Sequence, residues 1–99
     1  MNLIEKFTKN KIFFKNIFYN NGIIHCKTVQ EAEKICIELI KLGCVWNNNE
    51  TLIDNNEWNV NKEDTCYEII NKKMLYAEIE YYLTYKKNKI IYEYEQIIF

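Results

Sequence analysis

The stretch Gly22-Ile23-Ile24-His25-Cys26-Lys27-Thr28, the amphipathic run after it, and Gly43-Cys44-Val45-Trp46 decide how this chain folds. Ile23 to Lys27 reads as a short buried strand. Thr28 with Glu31 three positions on is a capping-box signature, in which two orphan amides at a helix start are satisfied reciprocally. The spacing predicts a helix to about Leu42, with Val29, Ala32, Cys36, Leu39 and Ile40 on its buried face. Glu31, Lys34, Glu38 and Lys41 fall on the solvent face, where Lys34–Glu38 and Glu38–Lys41 form helpful i,i+4 and i,i+3 pairs. Gly43 ends the helix, and Cys44–Trp46 returns as a second strand.

Outward from this β-α-β core, Leu3, Ile4, Phe7, Phe14 and Phe18 share one arc at helical spacing, so the first twenty residues read as one or two helical pieces. A strand over Lys11–Phe14 competes with that reading, and Asn20-Asn21-Gly22 supplies a left-handed stop. Residues 47–63 read as a polar, irregular loop anchored by Trp58. A loop of that length in a small domain is uncommon unless functional or mobile. Thr65–Ile70 and Met74–Ile79 form a hairpin around Asn71-Lys72-Lys73, Tyr81–Lys87 a helical turn, and Lys89–Tyr94 a final strand. The expected fold is one α+β domain over residues 1–99: a small, mainly antiparallel sheet with one or two helices packed on one face.

Composition excludes more than it proposes. At 48% hydrophobic, the 99 residues carry enough apolar surface for one core, which argues against disorder. There is no Ser, so no serine nucleophile, and no Arg, so no guanidinium clamp on phosphate. Two isolated glycines make no phosphate-cradling loop. The wealth of Asn, Lys, Ile, Tyr and Phe is an AT-rich codon signature, hence partly mutational. Cys26, Cys36, Cys44 and Cys66 contain no C-x-x-C pair, so neither a metal site nor a cofactor is expected. The chain shows no secretory signal pattern and no apolar run of the ~20 residues needed to span a bilayer, so a cytoplasmic protein with reduced thiols is the expectation. Residues 1–27 hold five Lys against one acid and residues 28–71 three Lys against nine acids, which fits neither a duplex-DNA binder nor a DNA mimic.

Six residues stand out as a candidate ligand site. His25, the sole histidine, points away from Cys26 on its strand, as a polar contact to a ligand or a satisfied core residue; no partner nucleophile makes it catalytic. Lys27 and Thr28 lie where a strand meets a helix N-terminus, a natural anion site unless Thr28 and Glu31 already fill it as a cap. Trp46, Trp58 and Tyr67 offer stacking platforms, an interface, or core filling.

The set Ile24-His25-Cys26-Lys27-Thr28, Gly43-x-x-Trp46, Thr65-Cys66-Tyr67 and a tyrosine-rich stretch ending Lys89-Ile90-Ile91 resembles a group of small, mostly uncharacterised phage and prophage proteins of low-GC Gram-positive bacteria. The resemblance spans about residues 12–95. Asp64 stands where Asn is common, and Asn88 where Gly is expected, differences that bear on turns. Small phage accessory proteins are often counter-defence factors, so the resemblance implies that context inside the host cell. The leading expectation is therefore a non-enzymatic protein that sequesters a small nucleotide immune signal, as a homo-oligomer whose pocket is completed across a two-fold interface. Stacking would come from Trp46, Trp58 and Tyr67, anion contacts from Lys27 and Thr28, and a polar contact from His25. The alternative is a protein–protein inhibitor of a bacterial defence complex, using the acidic 47–68 region and exposed aromatics. A small nuclease or cyclic-nucleotide hydrolase is a third reading.

Overall fold

The computed structural model describes residues 11–52 and 56–99. Its centre is a five-stranded sheet in the order β3-β5-β4-β2-β6. β2 is Ile23–Cys26, β3 Val45–Trp46, β4 Thr65–Ile70, β5 Lys73–Glu78 and β6 Ile91–Glu93. The long ladders, β2 with β4 and β4 with β5, are antiparallel, whereas both edge strands pair in parallel. A separate two-stranded ribbon joins β1, Ile12–Phe13, to β7, Ile97–Ile98, in parallel. The fold is α+β. The helical part of the first-twenty expectation holds over Phe14–Tyr19 (α1) and the competing strand over Ile12–Phe13, while Leu3, Ile4 and Phe7 lie outside the described residues.

Helix α2, Val29–Lys41, forms as its pattern predicts. Thr28 Oγ1 accepts from the Glu31 amide at 3.1 Å. The reciprocal half of the box is shifted by one residue: Glu31 Oε1 accepts from the Lys27 amide at 2.9 Å instead of that of Thr28. Ala32, Ile35, Cys36 and Leu39 are buried, and Ile35 joins the stripe that the sequence places on Val29 and Ile40, both only partly covered. At the other end, Gly43 donates to Ile40 and Cys44 to Leu39, a Schellman stop with Gly43 at φ +80. That closure returns the chain directly into β3.

The two sheet faces differ. Ile24, Cys26, Tyr67, Ile69, Met74 and Trp46 face α1 and α2 and form the main core with Phe14, Ile17, Phe18, Ile35 and Leu39. Each fully buried aliphatic side chain there contributes ~1.5–3 kcal/mol. Gly22 permits this packing, since a Cβ on it would meet Ile17 Cγ2 at 2.6 Å. The opposite face carries a smaller cluster of Ile23, Cys66 and Tyr82, the last from helix α4, Ile79–Tyr85.

Residues 47–63 are less irregular than expected: Trp58–Asn61 forms a short helix α3, followed by a 3-10 turn at Lys62–Asp64. The hairpin is also one residue tighter, because Ile70 pairs with Lys73 and the turn is Asn71-Lys72 alone. Both turn residues have positive φ, +50 and +66, the type I′ geometry that suits the twist of two-residue hairpins. Among the described residues, no helix is long and apolar enough to cross a membrane.

Candidate functional site

The six residues singled out in the sequence fall into two groups with the sheet between them. In the first, His25 is buried on the α4 face of β2. Its Nδ1 lies 2.8 Å from Glu93 Oε2, and its Nε2 lies 2.8 Å from the Glu63 carbonyl oxygen. A carboxylate and a backbone carbonyl thus hold the two ring nitrogens from opposite sides. Lys27 Nζ stands 3.8 Å from Glu93 and 3.8 Å from Glu95, and Thr28 is spent on the cap. This end of β2 therefore gathers the Glu31, Glu93 and Glu95 carboxylates around His25 and Lys27, with Lys11 Nζ donating to the Glu95 carbonyl at 2.8 Å, and the three carboxylates disfavour an arriving anion.

The second group lies on the helical face. Trp46 is 5% exposed, with its ring 6.3 Å from Tyr67 and 5.5 Å from Tyr76. Tyr67 is fully buried and its hydroxyl donates to the Asn56 carbonyl. Burial pushes its phenol well above the ordinary range. Asn56 Oδ1 in turn accepts from the Trp58 amide at 3.0 Å, and the Trp58 carbonyl from Thr65 Oγ1 at 3.4 Å. Trp58 is half-buried against the core, and its Nε1 is buried without a partner among the described residues. Trp46, Tyr67 and Trp58 are thus brought together through Asn56, while His25, Lys27 and Thr28 are not part of that cluster.

The concavity beside Trp46 is a feature that the sequence did not locate. It has a volume of about 260 Å³ and is lined by Trp46, Asn47, Asn48, Glu50, Glu57, Leu75 and Tyr76. It opens where β3 runs out. Trp46 pairs with Met74, the Asn47 amide donates to the Met74 carbonyl at 3.0 Å, and beyond that point β3 offers β5 nothing. Alternation along the strand turns the N–H and C=O of Tyr76 to the same outer edge as the Met74 carbonyl. Among the described residues no backbone group pairs with them there. Glu50 and Glu57 take part in no ion pair of the described residues, and Glu57 sits at φ +57, as Asn49 does at +71. Strained non-glycine positions of this kind often gather at sites of contact.

The thiols are internal. Cys26, Cys36 and Cys44 belong to the main core and Cys66 to the opposite cluster, and all four are free. Burial pushes Cys36 and Cys66 up to about 12 and Cys44 to about 11, and Cys26 higher still, with Glu31 adding to its shift. Thiols held protonated in this way are poor nucleophiles and poor ligands. Among the described residues, no group of three His, Cys, Asp or Glu side chains could hold a metal ion. No protein-family model, no curated protein and no solved structure matches this chain.

Proposed function

We propose that this chain is a non-enzymatic binding protein that acts by occupying a partner protein, in the counter-defence setting that its resemblance to small phage proteins implies. The observation that carries the reading is the concavity at the end of β3. There an aromatic wall, two carboxylates that no described cation pairs and a strand edge that no described backbone group pairs face outward together. The four thiols are buried, and His25 is engaged at both nitrogens. Exposed carboxylates and aromatics of this kind set the specificity and rate of protein association. The resemblance and the reduced thiols fit action in the cytoplasm of the host cell.

Sequestration of a nucleotide signal is the second reading, favoured by Tyr76 and the Asn47 and Asn48 amides, which could stack on and read a base. Glu50 and Glu57 oppose its phosphates. The concavity is also below the ~300–1,000 Å³ typical of ligand pockets, so a second copy would have to complete it.

The test is affinity purification of the tagged chain from bacteria expressing defence systems, beside a Glu50→Lys/Glu57→Lys variant. One protein retained at fixed stoichiometry, and released by the charge reversal, is the expected result. Retention of nothing, or retention indifferent to the two charges, overturns the reading. A nucleotide found by native mass spectrometry in the purified wild type establishes the second one.

A further inference from the structure

Resting on the protein-binding reading, we infer that the open edge of β5 at Leu75–Glu78 receives an extended, cationic segment of the partner as an added strand. The backbone argument comes first. β5 has six residues and β3 only two, so among the described residues the outer edge of β5 is covered at Lys73 and Met74 and bare afterwards. The Asn47–Met74 hydrogen bond fixes which carbonyls point outward, and by alternation the Tyr76 N–H and C=O stand ready for the next rung. Sheets usually blunt such an edge with Lys, Pro or a bulge. Leu75, Tyr76 and Ala77 provide none of these, and their register with β4 is unbroken.

The side chains then select the occupant. Glu50 and Glu57 line the space alongside this edge, the exposed Tyr76 ring forms a wall, and Asn47 and Asn48 add amides. A lysine or arginine on an alternate position of the added strand meets both a carboxylate and an aromatic face. An acidic strand meets like charge. Main-chain bonds supply the affinity and alternate side chains the specificity, as in other strand additions.

The experiment is an NMR titration of the isotope-labelled chain with a short N-acetylated peptide of alternating Lys and Val, and with its Glu-for-Lys counterpart. Shifts confined to Met74–Glu78 and the Trp46 indole, with slowed exchange of the Tyr76 amide, are expected from the basic peptide only. The Glu50→Lys/Glu57→Lys variant, folded by its own spectrum, should bind on the order of tenfold more weakly. Equal response to the acidic peptide, shifts centred on α4, no response, or concentration-dependent self-pairing along β5 without peptide each overturns the inference. Retention of a partner protein without peptide binding overturns this inference alone. Absence of any retained partner overturns the protein-binding reading whatever the peptide does.

Discussion

Replacing Lys89 by Met should destabilise the chain far more than an ordinary surface lysine would. Glu68 is 2% exposed and sits on β4 among Ile23, Cys66 and Tyr82. Lys89 Nζ lies 2.6 Å from its Oε2, and Lys86 Nζ lies 3.7 Å from the same oxygen. Breaking a buried pair from one side typically costs ~3–5 kcal/mol, because a desolvated carboxylate is left behind. Lys86 remains as a weaker partner, and Lys89 is itself about a third exposed, so about 2–3 kcal/mol is expected here. Adding Glu68→Met removes the stranded charge and should bring the double variant back to within about 1 kcal/mol of the wild type. Urea denaturation of wild type, both single variants and the double variant, with slopes compared for two-state behaviour, measures this. A Lys89→Met cost below about 0.5 kcal/mol, or a double variant less stable than Lys89→Met alone, would refute the reasoning.

Three further outcomes are expected. Folded Cys36, Cys44 and Cys66 keep their protons to about 11 or 12, whereas unfolded thiols release theirs near ~8.5. The unfolded chain therefore binds fewer protons above that point. These groups leave stability unchanged below pH ~8.5 and lower it as pH rises through ~11, by on the order of 1 kcal/mol per thiol per pH unit. Urea midpoints at a series of alkaline pH values should show that decline, with a shallower slope for Cys44→Ala. Lys72→Gly should raise the urea midpoint, because relieving a lysine at φ +66 recovers ~1–2 kcal/mol, partly offset by the greater freedom of glycine when unfolded. His25→Ala removes the bonds to Glu93 and Glu63 together and should cost about 2–4 kcal/mol; a smaller loss in the same assay would mean that the two bonds add little.

Helix α2 was legible because its cap, its apolar stripe and its Schellman glycine are all local signals. Ile23–Cys26 and the β4–β5 hairpin were legible for the same reason, through short apolar runs and a turn between them. The hairpin boundary slipped by one residue because Asn71-Lys72 lacks the glycine that usually marks a type I′ turn. The parallel pairing of β3 with β5 and of β6 with β2 left no local trace, since it depends on long crossovers. The concavity beside Trp46 exists only because those two strands differ in length. The cluster of Trp46, Tyr67 and Trp58 was half visible as an aromatic concentration, but the Asn56 contacts that assemble it are polar and run through an irregular segment without periodicity. His25 stands out in the sequence as the lone imidazole, yet its engagement by Glu93, far along the chain, is set by the β2–β6 register and by nothing near residue 25.

The ribbon of β1 and β7 has a kinetic implication. Ile12 meets Ile97 and Phe13 meets Ile98, so two segments from opposite ends of the described chain close a loop around everything between them. Closing so long a loop costs entropy before any packing rewards it, which delays the event relative to the α2 turn and the β4–β5 hairpin. Ile97 and Phe99, which cover Phe14, should therefore gain protection last during refolding, and a deletion of Ile97–Phe99 should accelerate unfolding while leaving the early hairpin intact.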